Sequence, residues 1–127
     1  MSPIYEPYVY HVSGRVAYAL HKFVCDLLNN AWKWPIPVDR NIGTQMCFMF
    51  GRHARLCRKL QDADTKAPMY FSGKEVSWLL EQLKIYYRND KPKDPLLLGA
   101  YQEIFVLWLE REIDKQQKRK EEESREL

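Results

Sequence analysis

The chain holds 127 residues, 46% of them hydrophobic and 29% charged, with a net charge of +3. These figures exclude a disordered chain and a pair of full-sized domains, and the net charge alone is too small to imply a nucleic-acid partner. Three cysteines without a short-loop framework argue against a secreted disulfide scaffold and for reduced thiols inside the cell, in the cytoplasm with the nucleus left open.

Residues 1–12 are expected to form an extended arm. Pro3 and Pro7 block a helix there, and neither a basic segment nor a long apolar one marks a secretory leader. Tyr8, Tyr10 and Val12 alternate with Val9 and His11, which permits a short strand, but no partner strand is evident. The arm is therefore expected to pack on the body or to reach a neighbouring subunit.

A first helix is predicted over residues 13–31, where Val16, Leu20, Phe23, Val24, Leu27 and Ala31 share a face. Pro35 and Pro37, in the Trp32–Pro37 segment, stop it. A second helix is predicted over residues 44–60, with Thr44 as N-cap and Met46, Met49, Phe50, His53, Cys57 and Leu60 on one face. Gly51 lies inside it, where it permits close packing. Residues 61–71, with Asp62, Asp64 and Pro68, are expected to form a loop.

The third helix has the clearest start. Ser72-Gly73-Lys74-Glu75 matches a capping box, and Val76, Leu79, Leu80, Leu83 and Tyr87 follow on its core face, with an end near Arg88. The fourth begins with Asp94 as N-cap and Pro95 at the first helical position, and is apolar nearly all round up to Leu109, as central helices are. Its apolar run falls short of the roughly 18 residues of a membrane span. Beyond Ile113 the sequence is charged. Pairs such as Asp114–Lys118 support a solvated helix, while the acidic residues near its end oppose the helix dipole and predict fraying. The expected fold is all-α: a single four-helix bundle-like domain over residues 13–113, with the extended arm 1–12 and a charged helical extension 114–127.

Three constellations bear on function. Phe48, Arg52, Arg55 and Lys59, with Arg58 beside them, fall on one line of the second helix away from its core face. Such a row suits an acidic protein or the phosphates and bases of a nucleic acid, against the plainer reading of a solvated face. Leu98, Val106, Leu109 and Ile113 form a second apolar stripe on the fourth helix, beside a core face of Leu97, Ala100, Ile104 and Trp108. The arm, the Trp32–Trp34 loop, a second copy of the chain or another protein must cover it. Lastly, His21 and Cys25 are one turn apart on the first helix, as are His53 and Cys57 on the second. Two such pairs could build a Cys2His2 zinc site. The helical wheel instead favours a buried histidine with a hydrogen-bond partner and buried cysteines, because His53 is central on its face and His21 and Cys25 are peripheral.

No phosphate loop, nucleophile elbow or paired core carboxylates appear in the sequence, so no catalytic residue, cofactor or small-molecule substrate is expected. The sequence points to a non-enzymatic protein-interaction module, a small regulatory or accessory protein acting through exposed helix faces. Its partner would be another protein or a second copy (a homodimer), with no membrane contact. The alternative is nucleic-acid binding through the basic row.

Overall fold

The computed structural model describes residues 7–59, 64–89 and 94–126, with the side chains of Lys59, Asn89, Arg125 and Glu126 outside that set. Residues 1–6 of the arm, the expected core position Leu60, Asp62 of the expected loop, and Asp90 to Pro92 after the third helix therefore lie outside the described residues. Strand β1 (Tyr8–Ser13) leads directly into helix α1 (Gly14–Asn29), a 3-10 turn (Ala31–Lys33) and helix α2 (Arg40–Lys59). Strand β2 (Lys66–Phe71), helix α3 (Gly73–Asn89) and helix α4 (Pro95–Glu126) follow.

The two strands correct the all-α, four-helix-bundle expectation. β1 pairs antiparallel with β2, setting Tyr8 opposite Phe71, Tyr10 opposite Met69 and Val12 opposite Ala67, so the chain is a small mixed α/β fold with a helical majority. The arm did carry the alternation of a half-buried strand, and its inward residues Tyr8, Tyr10 and Val12 are buried with Met69 and Phe71. The partner was hidden by Pro68, which cannot donate to a ladder and demotes a segment as a strand. In a two-stranded sheet β2 keeps one unpaired edge, and Pro68, opposite His11, is tolerated there.

Local chemistry sets the helix starts. The Val16 amide donates to Ser13 Oγ at 3.2 Å, so the last residue of β1 is also the N-cap of α1. The capping box at Ser72 forms as expected: the Ser72 amide donates to Glu75 Oε1 at 2.8 Å, and the Glu75 amide to Ser72 Oγ at 3.2 Å. Asp94 Oδ1 accepts from the Leu96 amide at 3.0 Å at the head of α4. Helix α2 starts four residues before the expected Thr44, because Asp39 Oδ1 accepts from the amides of Asn41 and Ile42, at 3.0 and 3.2 Å. A carboxylate at that end also meets the positive pole of the helix dipole, which a threonine hydroxyl does not exploit. The charged extension is helical through Glu126, with Asp114–Lys118 paired at 3.5 Å.

The core lies where one face of the sheet meets the four helices. Leu20 and Val24 of α1, Met46 and Phe50 of α2, Val76, Leu79 and Leu83 of α3, and Ile104 of α4 are buried. Each large apolar side chain so placed contributes about 1.5–3 kcal/mol relative to exposure. Ring contacts extend the seam: Phe23 meets Tyr86 edge-on at 5.2 Å, and Tyr87 stacks on Tyr101 at 5.1 Å, joining α3 to α4. Two polar ties complete it. Trp34 Nε1 donates to Gln82 Oε1 at 2.7 Å, fastening the Trp32–Trp34 segment to α3. His53 Nε2 donates to the Val12 carbonyl at 2.8 Å, fastening α2 to the sheet.

Candidate functional site: the groove between α1 and α2

Helices α1 and α2 form the most extensive helix pair of the fold. Along their seam runs a groove of about 610 Å³, lined by Tyr18, His21 and Cys25 from α1 and by Cys47, Phe48, Gly51, Arg55 and Arg58 from α2. The α2 residues follow from helical spacing. Met46, Phe50, His53 and Cys57 point to the core, and the residues one position on, Cys47, Gly51, Ala54 and Arg58, line the groove.

At the floor of the groove His21, Cys25 and Cys47 converge, all half-buried. Cys25 and Cys47 are joined in a disulfide, with their Cα atoms 6.1 Å apart, where reduced thiols were expected. His21 Nδ1 lies 2.9 Å from the Cys47 carbonyl oxygen, which can only accept, so Nδ1 carries the proton and donates. In the neutral ring this leaves Nε2 with its lone pair, 3.7 Å from Cys25 Sγ. Nδ1 is also 3.6 Å from Cys47 Sγ. Gly51 makes room for the ring: a Cβ there would stand 2.9 Å from His21 Cε1 and 3.0 Å from Nδ1. The expected role of Gly51, close packing inside a helix, thus has a specific neighbour.

The structure divides the residues singled out in the sequence. His21 and Cys25 are together, but His53 and Cys57 do not join them. His53 is buried and bonded to Val12, and Cys57 is fully buried, where burial pushes its thiol above the usual cysteine range. Cys47 takes their place, and sequence reasoning missed it. The available signal was a cysteine one turn before a mid-helix glycine, the small residue a neighbouring ring requires. Of the basic row, Phe48 is 70% exposed, and Arg52, Arg55 and Arg58 are exposed. Phe48, Arg55 and Arg58 line the groove, Arg52 lies off it, and the Lys59 side chain is outside the described residues.

On α4, Leu98, Val106, Leu109 and Ile113 are 39–50% exposed, and Phe105, at 44%, adds a fifth member that the sequence reading omitted. Leu97, Ala100 and Ile104 are buried on the opposite side, and Trp108 is half-buried. The described part of the arm does not cover the outer stripe. It meets the flank of α4, where the Arg111 guanidinium lies 4.7 Å over the Tyr8 ring and donates to the Pro7 carbonyl at 2.6 Å. Nearby, burial and then a hydrogen bond to Glu103 raise the Tyr10 hydroxyl above its ordinary range. No helix among the described residues is long and apolar enough to cross a membrane. No family model, curated protein or solved structure matches the chain.

Proposed function

We propose that the protein is a non-enzymatic, cytoplasmic interaction module, a small regulatory or accessory protein that docks the outer stripe of α4 against the same stripe of a second copy. The observation that carries this reading is the row Leu98, Phe105, Val106, Leu109 and Ile113, large apolar side chains on the face of α4 turned away from its own core. Single exposed apolar residues need no explanation, but a contiguous row on one helix favours a partner. The helix has 32 residues and so spans about 48 Å, long enough to hold its partner over several turns.

The row is compatible with itself. In an antiparallel two-fold pair, Leu98 of one copy faces Ile113 of the other, and Phe105 faces Val106 at the centre. The same arrangement brings Lys115 of each copy toward the Asp94 end of the other helix and opposes the two helix dipoles favourably. The test is light scattering or sedimentation of the wild type against Val106→Glu with Leu109→Glu. A dimer that becomes a folded monomer on substitution supports the reading, and a strictly monomeric wild type at high micromolar concentration overturns it.

One observation favours a second reading, nucleic-acid binding: Phe48 stands exposed among Arg52, Arg55 and Arg58, an aromatic stacking platform within a cationic row. That reading requires binding that weakens steeply with salt and is abolished by Arg52→Glu with Arg55→Glu. No binding to any DNA or RNA at low salt rules it out.

A further inference from the structure

We propose that His21, Cys25 and Cys47 form a zinc site when the cysteines are reduced, so that the disulfide and the metal ion are alternative states of one position. Their three donor atoms lie within 4.8 Å of one another. Zinc with sulfur at ~2.3 Å and nitrogen at ~2.0 Å in tetrahedral geometry sets its donors roughly 3.5–3.8 Å apart. Cys25 Sγ is 3.7 Å from His21 Nε2 and 3.9 Å from Nδ1, so ligation through Nε2 needs the Cys25 side chain, once released, to swing in front of that nitrogen. Opening the disulfide lets the two sulfurs separate to that spacing while the helices keep their places.

Three further features fit a metal rather than a passive crosslink. His21 gives its Nδ1 proton to a backbone carbonyl, the arrangement that fixes the tautomer and orientation of a ligating imidazole. Gly51 leaves room for the ring at that place, and a side chain there would push it away. The trio also opens on the groove, so ions and reductants reach it and the fourth coordination position is left to water. Two thiolates and an imidazole select a soft or borderline ion, and two thiolates neutralise its double positive charge. The geometry does not involve His53 or Cys57.

The interconversion balances. A small-molecule thiol of the glutathione class reduces the disulfide: the S–S bond takes up two electrons and two protons to give two thiols, and two molecules of reductant become one disulfide. Zinc then displaces both thiol protons to solvent.

The experiment uses the full chain reduced with a phosphine, freed of metal and titrated with Co2+ under argon. One Co2+ per chain is expected, with thiolate-to-cobalt charge-transfer absorption and the intense visible bands of a tetrahedral ion, displaced by one equivalent of Zn2+. Cys25→Ser and Cys47→Ser should abolish the charge-transfer bands, and His21→Asn should weaken binding at least about tenfold. Cys57→Ala should leave binding intact, and the oxidised protein should take up none. A readout on the wild type alone stands beside these variants: Zn2+ should protect Cys25 and Cys47 from alkylation, as mapped by peptide mass spectrometry. A reduced, folded protein that binds no Co2+ overturns the proposal. So does binding that survives both serine substitutions, or thiols that Zn2+ leaves unprotected.

Discussion

Gly51→Ala should destabilise the protein, although it removes a glycine from the interior of a helix. In α2 the substitution by itself gains about 0.5–1 kcal/mol of helix propensity. Against that gain, the new Cβ would meet His21 at 2.9 Å from Cε1 and 3.0 Å from Nδ1. Carbon contacts are comfortable at about 3.5–4.0 Å, so the ring must retreat by roughly 0.5–1 Å. Overpacking of this kind costs about 1–3 kcal/mol. The retreat also stretches the 2.9 Å bond from Nδ1 to the Cys47 carbonyl, worth about 0.5–1.5 kcal/mol. The balance is a net loss of about 0.5–4 kcal/mol, a fall of several degrees in Tm at the middle of that range. Urea unfolding of the four proteins of a cycle with His21→Ala, all with the disulfide intact, measures it. Once the ring is gone the clash is gone, and Gly51→Ala should then stabilise by about 0.5–1 kcal/mol. A stabilising effect in the wild-type background, or the same effect in both backgrounds, refutes the reasoning.

Other outcomes follow from single contacts. Trp34→Phe removes the donor to Gln82 Oε1 and leaves that amide buried with a bond unmade, so stability should fall by about 1–3 kcal/mol in denaturant titration. The Tyr87 hydroxyl is buried without a hydrogen-bond partner among the described residues, so Tyr87→Phe should be neutral or stabilise by up to about 1 kcal/mol. Burial, with Tyr86, Asp94 and Tyr101 adding to it, pushes the Tyr87 hydroxyl from 10.0 up to about 12. The folded state therefore binds this proton more tightly than the unfolded state. The corresponding stability is intact below pH 10.0 and is lost as pH rises toward 12, and Tyr87→Phe should remove this loss from the alkaline limb of a stability profile. Val106→Glu with Leu109→Glu should leave circular dichroism unchanged, since both positions are exposed.

The helices were legible because their signals are local. Apolar spacing, the Ser72–Glu75 box and the Asp94–Pro95 start each act within a turn or two, and the structure keeps them. The sheet was half legible: β1 shows its alternation, but pairing is a relation between segments far apart in sequence, and β2 carries a proline where a strand signal was sought. The candidate site failed in the same way. His21 and Cys25 declare themselves by spacing on one helix, and His53 and Cys57 have the same spacing on another. Which of the second helix's rows faces the first depends on the rotation of α2 about its axis. That rotation is set by the burial of Met46, Phe50 and His53, and it turns Cys47 rather than Cys57 toward α1.

Ser13 ends β1 and caps α1, and Ser72, the first residue of the capping box, alone separates β2 from α3. Two strands alone would be marginal in water and free to slide. Here a slip of one residue would turn Tyr8, Tyr10 and Val12 outward and, because Ser13 joins the strand to the start of α1, drag the packed helix along with it. The ladder therefore has a single setting, indexed at both strands by the helix each one feeds. A one-residue insertion between Val12 and Ser13 would disturb the sheet and the phase of α1 together, where the same insertion in a linker would disturb neither.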